Sequence, residues 1–179
     1  MVCPMLKPRT TVLTIGHSTR SIESFIEMLR ANGVKRVVDV RTIPRSRTNP
    51  QFNRETLKQS LAEAGIEYSH VAELGGLRHA RKDSINTGWR NASFRGYADY
   101  MQTPEFDAAI QALIEAAKGE QVAIMCAEAV PWRCHRSLIG DALTVRGIAV
   151  GDIMSATRTQ PHELTSFAKV NGTRVTYPG

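Results

Sequence analysis

Apolar residues along this chain gather in short unbroken runs, separated by stretches in which they recur every three or four positions. The runs TVLTI (11–15), KRVVDV (35–40), IEYSHV (66–71), QVAIMC (121–126) and IAVGDIM (148–154) have the length and centre of buried strands. The stretches between them read as amphipathic helices. SIESFIEMLRANG sets Ile22, Phe25, Ile26 and Leu29 on one face, with Ser21 placed to cap the start and Gly33 beyond the end. ETLKQSLAEAG does the same with Leu57, Leu61 and Ala64, ending at Gly65. Thr103 followed by Pro104 opens a third helix, with Phe106, Ile110, Leu113 and Ile114 as its buried stripe. A fourth, from about Cys134 to Arg146, buries Leu138, Ile139, Ala142 and Leu143 before Gly147. This alternation predicts an α/β fold. It is a single three-layer domain over 11–179, with a mostly parallel sheet of about five strands flanked by helices, after an N-terminal extension at 1–10. The tail PHELTSFAKVNGTRVTYP offers a short helix and an edge strand whose register the pattern does not fix.

The composition narrows the setting. A chain of 179 residues, 42% hydrophobic and 22% charged, fits one soluble globular domain, and no run of about 18 apolar residues offers a membrane span. The start MVCPMLKPRT lacks the apolar region of a secretory signal, and three cysteines suit reduced thiols, so the expected setting is cytoplasmic with no membrane partner. The net charge of +6 is mild, but 17 of the 23 basic residues are arginine, the side chain whose fork grips phosphate or carboxylate.

Ligands of open α/β sheets bind beyond the carboxyl ends of the strands. Here the segments in those places are GHS, RTIPRSRTNPQFNR, AELGGLRHARKD with its continuation, and AEAVPWRCHR, and ten of the arginines lie in the last three. The stretch from Arg41 to Arg54 holds four arginines and no acid, a repulsion that an anion would relieve. A positive cleft is therefore expected, with Ser18, Asp39, Arg41, Arg45, Arg78, Arg133, His135 and Arg136 as substrate-binding candidates; a merely solvated face is the plain alternative. Cys134 falls at the start of a helix between Arg133, His135 and Arg136, where dipole and charge favour a thiolate. Cys126 follows the apolar run VAIM, so burial should keep it neutral. Glu128 is a candidate acid or base, or the partner of a loop arginine. His17, at the end of the first strand, completes a catalytic set of Cys134, Cys126, Glu128 and His17. Asp39, an acid in an apolar strand, needs a partner, and an ion pair with a cleft arginine would supply it. His70 and His79 are looser candidates, and His162 is expected at the surface. The segment from Ala72 to Phe94, with Gly75 and Gly76, has the length and composition of a lid.

Taken together, TIGHSTRSIESF, VDVRTIPRSR, FNRETL, ELGGLR, NASFRGYADYM and MCAEAVPWRCHRSLI resemble the bacterial family catalogued as domain of unknown function 488, over roughly residues 11 to 155. The resemblance implies an α/β fold and carries over no catalytic residue. VVDVR also resembles the aspartate-arginine element of rhodanese domains, and a cysteine between a buried strand and a helix start is similar to cysteine-dependent phosphatases. The spacing departs from both. Six residues separate Cys126 from Arg133 where phosphatase loops have five, and Pro131 and Trp132 stand where small residues would ring a phosphate.

Three functions compete. The favoured one is an enzyme taking a phosphorylated, nucleotide or nucleic-acid substrate in the arginine-rich cleft, with no cofactor assigned. The second is a non-catalytic nucleic-acid-binding module that stacks bases on Trp89, Phe94, Tyr97 and Tyr100. The third is a metal-binding enzyme using Cys126, Cys134, His135 and His17.

Overall fold

A computed structural model describes residues 9–179, so the expected extension at 1–10 lies almost wholly outside the described residues, as does Cys3. The elements run β1 (Thr11–Gly16), α1 (Ile22–Ala31), β2 (Arg36–Asp39), α2 (Arg54–Glu63), β3 (Glu67–His70), α3 (Ala92–Tyr100), α4 (Pro104–Gly119), β4 (Val122–Cys126), α5 (Arg136–Thr144) and β5 (Ala149–Ile153). Three short strands follow: β6 (Thr159–Pro161), β7 (Lys169–Asn171) and β8 (Arg174–Thr176). The helix ends follow the local signals. The Ser21 side chain accepts the Ser24 N–H at 3.1 Å, Thr103 accepts that of Phe106 with Pro104 at the first position of α4, and Gly33 takes φ +67° just past α1.

Six strands form one sheet in the order β3-β2-β4-β1-β5-β6, the first five parallel and β6 antiparallel on the edge. One face buries Phe25 and Leu29 of α1 and Leu57 and Leu61 of α2 against Ile15, Val37 and Met125. The other buries Ile110 and Leu113 of α4 and Leu138, Ile139 and Leu143 of α5 against Val12, Val38 and Ile124. Three layers result because every central strand is apolar on both sides. Gly16 pairs with Cys126 and Asp39 with Met125, so β1, β2 and β4 finish level and their following loops meet at one edge. That edge carries the residues singled out above.

Two segments differ from the sequence expectation. The stretch read as a long loop contains α3, capped by Asn91, whose apolar stripe is short and broken by Gly96. A glycine is required there because a Cβ would lie 2.4 Å from the Arg78 carbonyl oxygen. The remainder of the expected lid is tied down. Leu77 N–H donates to Thr42 Oγ1 at 3.0 Å, Asp99 accepts from Arg81 N, Ser84 Oγ and Asn86 Nδ2, and Gly88 N–H donates to the Tyr177 carbonyl at 2.8 Å.

The tail supplies the edge strand β6 and the β7–β8 hairpin rather than a helix. It is anchored on Asp141, fully buried in α5. Its carboxylate accepts Tyr177 Oη at 2.7 Å and Thr165 N at 3.1 Å, and pairs with His162 Nε2 at 2.8 Å. His162 is therefore an inward anchor, its side chain only 7% exposed, and not the surface residue expected. Removing Asp141 strips three buried groups of their acceptor, a loss of about 3 kcal/mol. Asp141→Ala should lower the urea midpoint accordingly and make the chain after Ser155 the first site of limited proteolysis; unchanged stability and cleavage would contradict the anchoring role.

Candidate functional site

The strand ends are stitched together by the backbone. His17 N–H donates to the Cys126 carbonyl and Ser18 N–H to that of Ala127, both at 2.9 Å, with Ser18 in the left-handed region at φ +48°. The chain leaving β4 crosses directly over Gly16, where a Cβ would sit 1.6 Å from the Glu128 carbonyl oxygen. This crossing fixes the Cys126 side chain at the edge of the sheet.

Arg136, the first residue of α5, is 1% exposed. Its Nε donates to Cys126 Sγ at 3.0 Å, and its two terminal nitrogens donate to Thr14 Oγ1 at 3.0 Å and the Glu128 carbonyl at 2.9 Å. Thr14 in turn donates to Asp152 Oδ1 at 2.5 Å. A buried guanidinium whose direct acceptors are a sulfur, a hydroxyl and a carbonyl favours negative charge on the one acceptor that can ionise. Burial alone would push the Cys126 thiol up, but the hydrogen bond from Cys134 and the charge of Arg136 outweigh it and bring the thiol down to about 7. For Cys134 the balance reverses. Burial, the hydrogen bond to Cys126 and the repulsion of that sulfur hold it well above the ordinary thiol value.

The balance favours a thiolate at Cys126 over the one expected at Cys134. The charge expected from α5 is real, but Arg136 points down to the end of β4, and Cys134, just past a 3-10 turn, is 6% exposed. The neighbouring His135 is brought down to about 4, mainly by burial, against the opposing hydrogen bond to the Val40 carbonyl. Its Nε2 lies 2.9 Å from that carbonyl and so carries the proton, leaving Nδ1 as an acceptor 3.4 Å from Cys134 Sγ.

Both cysteines line a cleft of about 440 Å³ together with Arg45, Glu128, Arg133 and His135, with Ile43 and Leu77 on its rim. Arg45 and Arg133 are exposed; the carboxylate of Glu128 is exposed too, and among the described residues it joins no ion pair. The other candidates serve different ends. Arg41 grips Asp39 through Nε (2.9 Å) and a terminal nitrogen (2.7 Å) and also donates to the Phe52 carbonyl, the ion pair anticipated for Asp39. Tyr68 Oη closes that group on Asp39 at 2.5 Å. Arg78 donates to the carbonyls of Gly75 and Ala72 and lies 3.6 Å over the Tyr100 ring, away from the thiols. His17 stacks on Phe52 at 4.4 Å, gives Nδ1–H to its neighbour's carbonyl, Ser18 O, at 2.8 Å, and has Nε2 3.5 Å from Arg41; burial lowers its basicity. His17 and Ser18 thus shape the loop, and the imidazole does not line the cleft. Thr14 and Asp152 are the residues behind Arg136 that pattern reading missed. Their signal was available, since each is a polar residue inside an apolar strand, the same anomaly that marked Asp39.

A larger groove of about 710 Å³, between β3 and α4, is lined mainly by valine, leucine and alanine and holds no thiol or imidazole. The rings expected to stack on bases are packed instead. Tyr97 is fully buried, and Trp89 meets Phe94, Phe167 and Tyr177 at 4.9–5.4 Å. Among the described residues no three His, Cys, Asp or Glu side chains converge as a metal site requires, and His17, bonded to the Ser18 carbonyl, does not line the cleft with the thiols. No helix of the described residues is long and apolar enough to cross a membrane.

Comparison with known proteins places residues 21–143 on the family described as Domain of unknown function DUF488, and the chain belongs to that family. No curated protein and no solved structure matches it.

The buried neutral imidazoles set a pH dependence. His135 is uncharged in the fold down to about pH 4, whereas in the unfolded chain it protonates near its ordinary 6.5; His17 is shifted the same way. The unfolded state therefore binds more protons in this window. Stability is full above about pH 6.5 and falls as the pH drops toward 4. Urea midpoints at pH 7 and pH 5 should differ in this direction, and by less in His135→Gln; an equal drop in the variant would contradict the assignment.

Proposed function

We propose that this member of the family is an enzyme that uses Cys126 as a thiolate nucleophile on a small anionic substrate of phosphorylated or nucleotide type. The observation that carries the reading is the Arg136 Nε held 3.0 Å from Cys126 Sγ at the wall of an arginine-bearing cleft. A thiolate is the reactive form of cysteine, and a fixed cation maintains it near neutral pH.

The roles follow from placement. Cys126 attacks and Arg136 holds its charge. Arg45 and Arg133, with guanidinium groups in the open cleft, grip the anion, and Glu128 on the same wall exchanges a proton with the leaving group. Asp39 and Arg41 brace the end of β2, and His17 and Ser18 brace the turn after β1. The site is not a phosphatase cradle. There an arginine grips the substrate, whereas the arginine in contact with this sulfur, Arg136, gives its donors to the protein. A reducing cytoplasm, where free thiols persist, suits the two free cysteines.

Alkylation tests the reading. With iodoacetamide, Cys126 should label faster than Cys134, at a rate that rises roughly tenfold per pH unit below 7 and levels off above about 8. Millimolar phosphate should slow the labelling, and Arg45→Ala with Arg133→Ala should abolish that protection. Labelling of Cys134 first, or no effect of phosphate on the parent protein, would overturn it.

A further inference from the structure

A lone nucleophile does not require a second buried thiol, yet Cys134 occupies the same wall of the cleft as Cys126, and each sulfur perturbs the ionisation of the other. Neither is oxidised here. Cys134 also has a proton acceptor of its own, His135 Nδ1 at 3.4 Å, freed for that use because Nε2–H is committed to the Val40 carbonyl. The seven residues between the cysteines form an irregular loop with a single 3-10 turn at Pro131–Arg133, free of the sheet ladder that would hold the sulfurs apart. One thiol bonded to a cation, a second on the same cleft wall, and an imidazole nitrogen beside the second are the parts of a two-step oxidation.

We propose that Cys126 and Cys134 form a dithiol–disulfide couple that reduces hydroperoxides, with Cys126 as the attacking thiolate and Cys134 as the resolving thiol. The proposal rests on the reading of Cys126 as a reactive thiolate and gives that thiolate a second substrate class, beside the anion proposed above. The Cys126 sulfur attacks the outer peroxide oxygen. The O–O bond breaks, the S–O bond of a sulfenic acid forms, and the departing alkoxide or hydroxide takes a proton and leaves as alcohol or water. The Cys134 sulfur then attacks Cys126 Sγ: the S–S bond forms, the S–O bond breaks, and the departing hydroxide takes the Cys134 proton and leaves as water. Two thiols and one hydroperoxide give one disulfide, one alcohol and one water, with two electrons moved from sulfur to oxygen. An external dithiol restores the pair.

Each half of the mechanism has its own variant. Full-length protein is treated with one equivalent of hydrogen peroxide at pH 7, blocked, and digested with trypsin without reduction; cleavage after Arg133 parts the two cysteines unless they are linked. The wild type should give the Cys126–Cys134 linked peptide, and with excess dithiothreitol it should consume many equivalents of peroxide. Cys134→Ser should instead accumulate a sulfenic acid at Cys126, trapped by dimedone without addition of reductant. Cys126→Ser should leave Cys134 a thiol and slow peroxide consumption at least about tenfold. If Cys126 alkylates rapidly but peroxide yields only its sulfenic or sulfinic form in the wild type, or a link to Cys3 alone, the couple is wrong and the thiolate reading stands. If Cys126 is neither alkylated nor oxidised, both fall.

Discussion

A guanidinium buried to 1% exposure and bonded to a cysteine sulfur is the constraint around which the site is arranged. Removing an arginine from water is expensive, and the fold offsets that cost with three specific acceptors on two strands: Thr14 of β1, Cys126 of β4 and the Glu128 carbonyl just beyond it. Asp152 of β5 adds a carboxylate one hydroxyl away. Arg136 thereby locks α5 onto the sheet and draws the Cys126 thiol down. Fold and thiol ionisation share this interaction, so neither can be altered alone.

A second buried ion pair does comparable work one strand over. Asp39 and Arg41 satisfy each other and Tyr68, and through the Phe52 carbonyl they seat the loop that precedes α2. His17 packs between that loop and the end of β1. The cleft floor is thus rigid polar structure, while its two free guanidinium groups, Arg45 and Arg133, stand in solvent where a ligand can reach them. This division explains how an arginine-rich edge avoids self-repulsion. Half of its ten arginines, Arg41, Arg78, Arg81, Arg95 and Arg136, are already spent on carbonyls, carboxylates or a sulfur.

The layers, the parallel core of the sheet and the helix caps were legible because they follow from local periodicity and from single residues such as Ser21, Thr103 and Gly33. The location of the site was legible too, since strand ends collect ligand loops whatever the side chains. What sequence alone could not fix was direction. Whether Arg136 points at the neighbouring Cys134 or across to Cys126 depends on the pairing of β1 with β4 and on the crossing over Gly16, both long-range facts. For the same reason the sequence could not show that Arg41, on the cleft wall, and Arg78, over Tyr100, give their donors to the protein, and His162 read as exposed although a buried acid in α5 awaited it. Helix α3 escaped notice because Gly96, required by the close approach of the Arg78 carbonyl, breaks its apolar stripe.

The central claim is that Cys126 carries negative charge at neutral pH because Arg136 is bonded to it. Thiolate absorbance near 240 nm, followed against pH in the native protein and in Cys126→Ser, tests this without any substrate. The account predicts an ionisation step centred near 7 in the native protein that disappears in Cys126→Ser and survives in Cys134→Ser. No thiolate below pH 8, or a step near 7 that persists in Cys126→Ser, would contradict it.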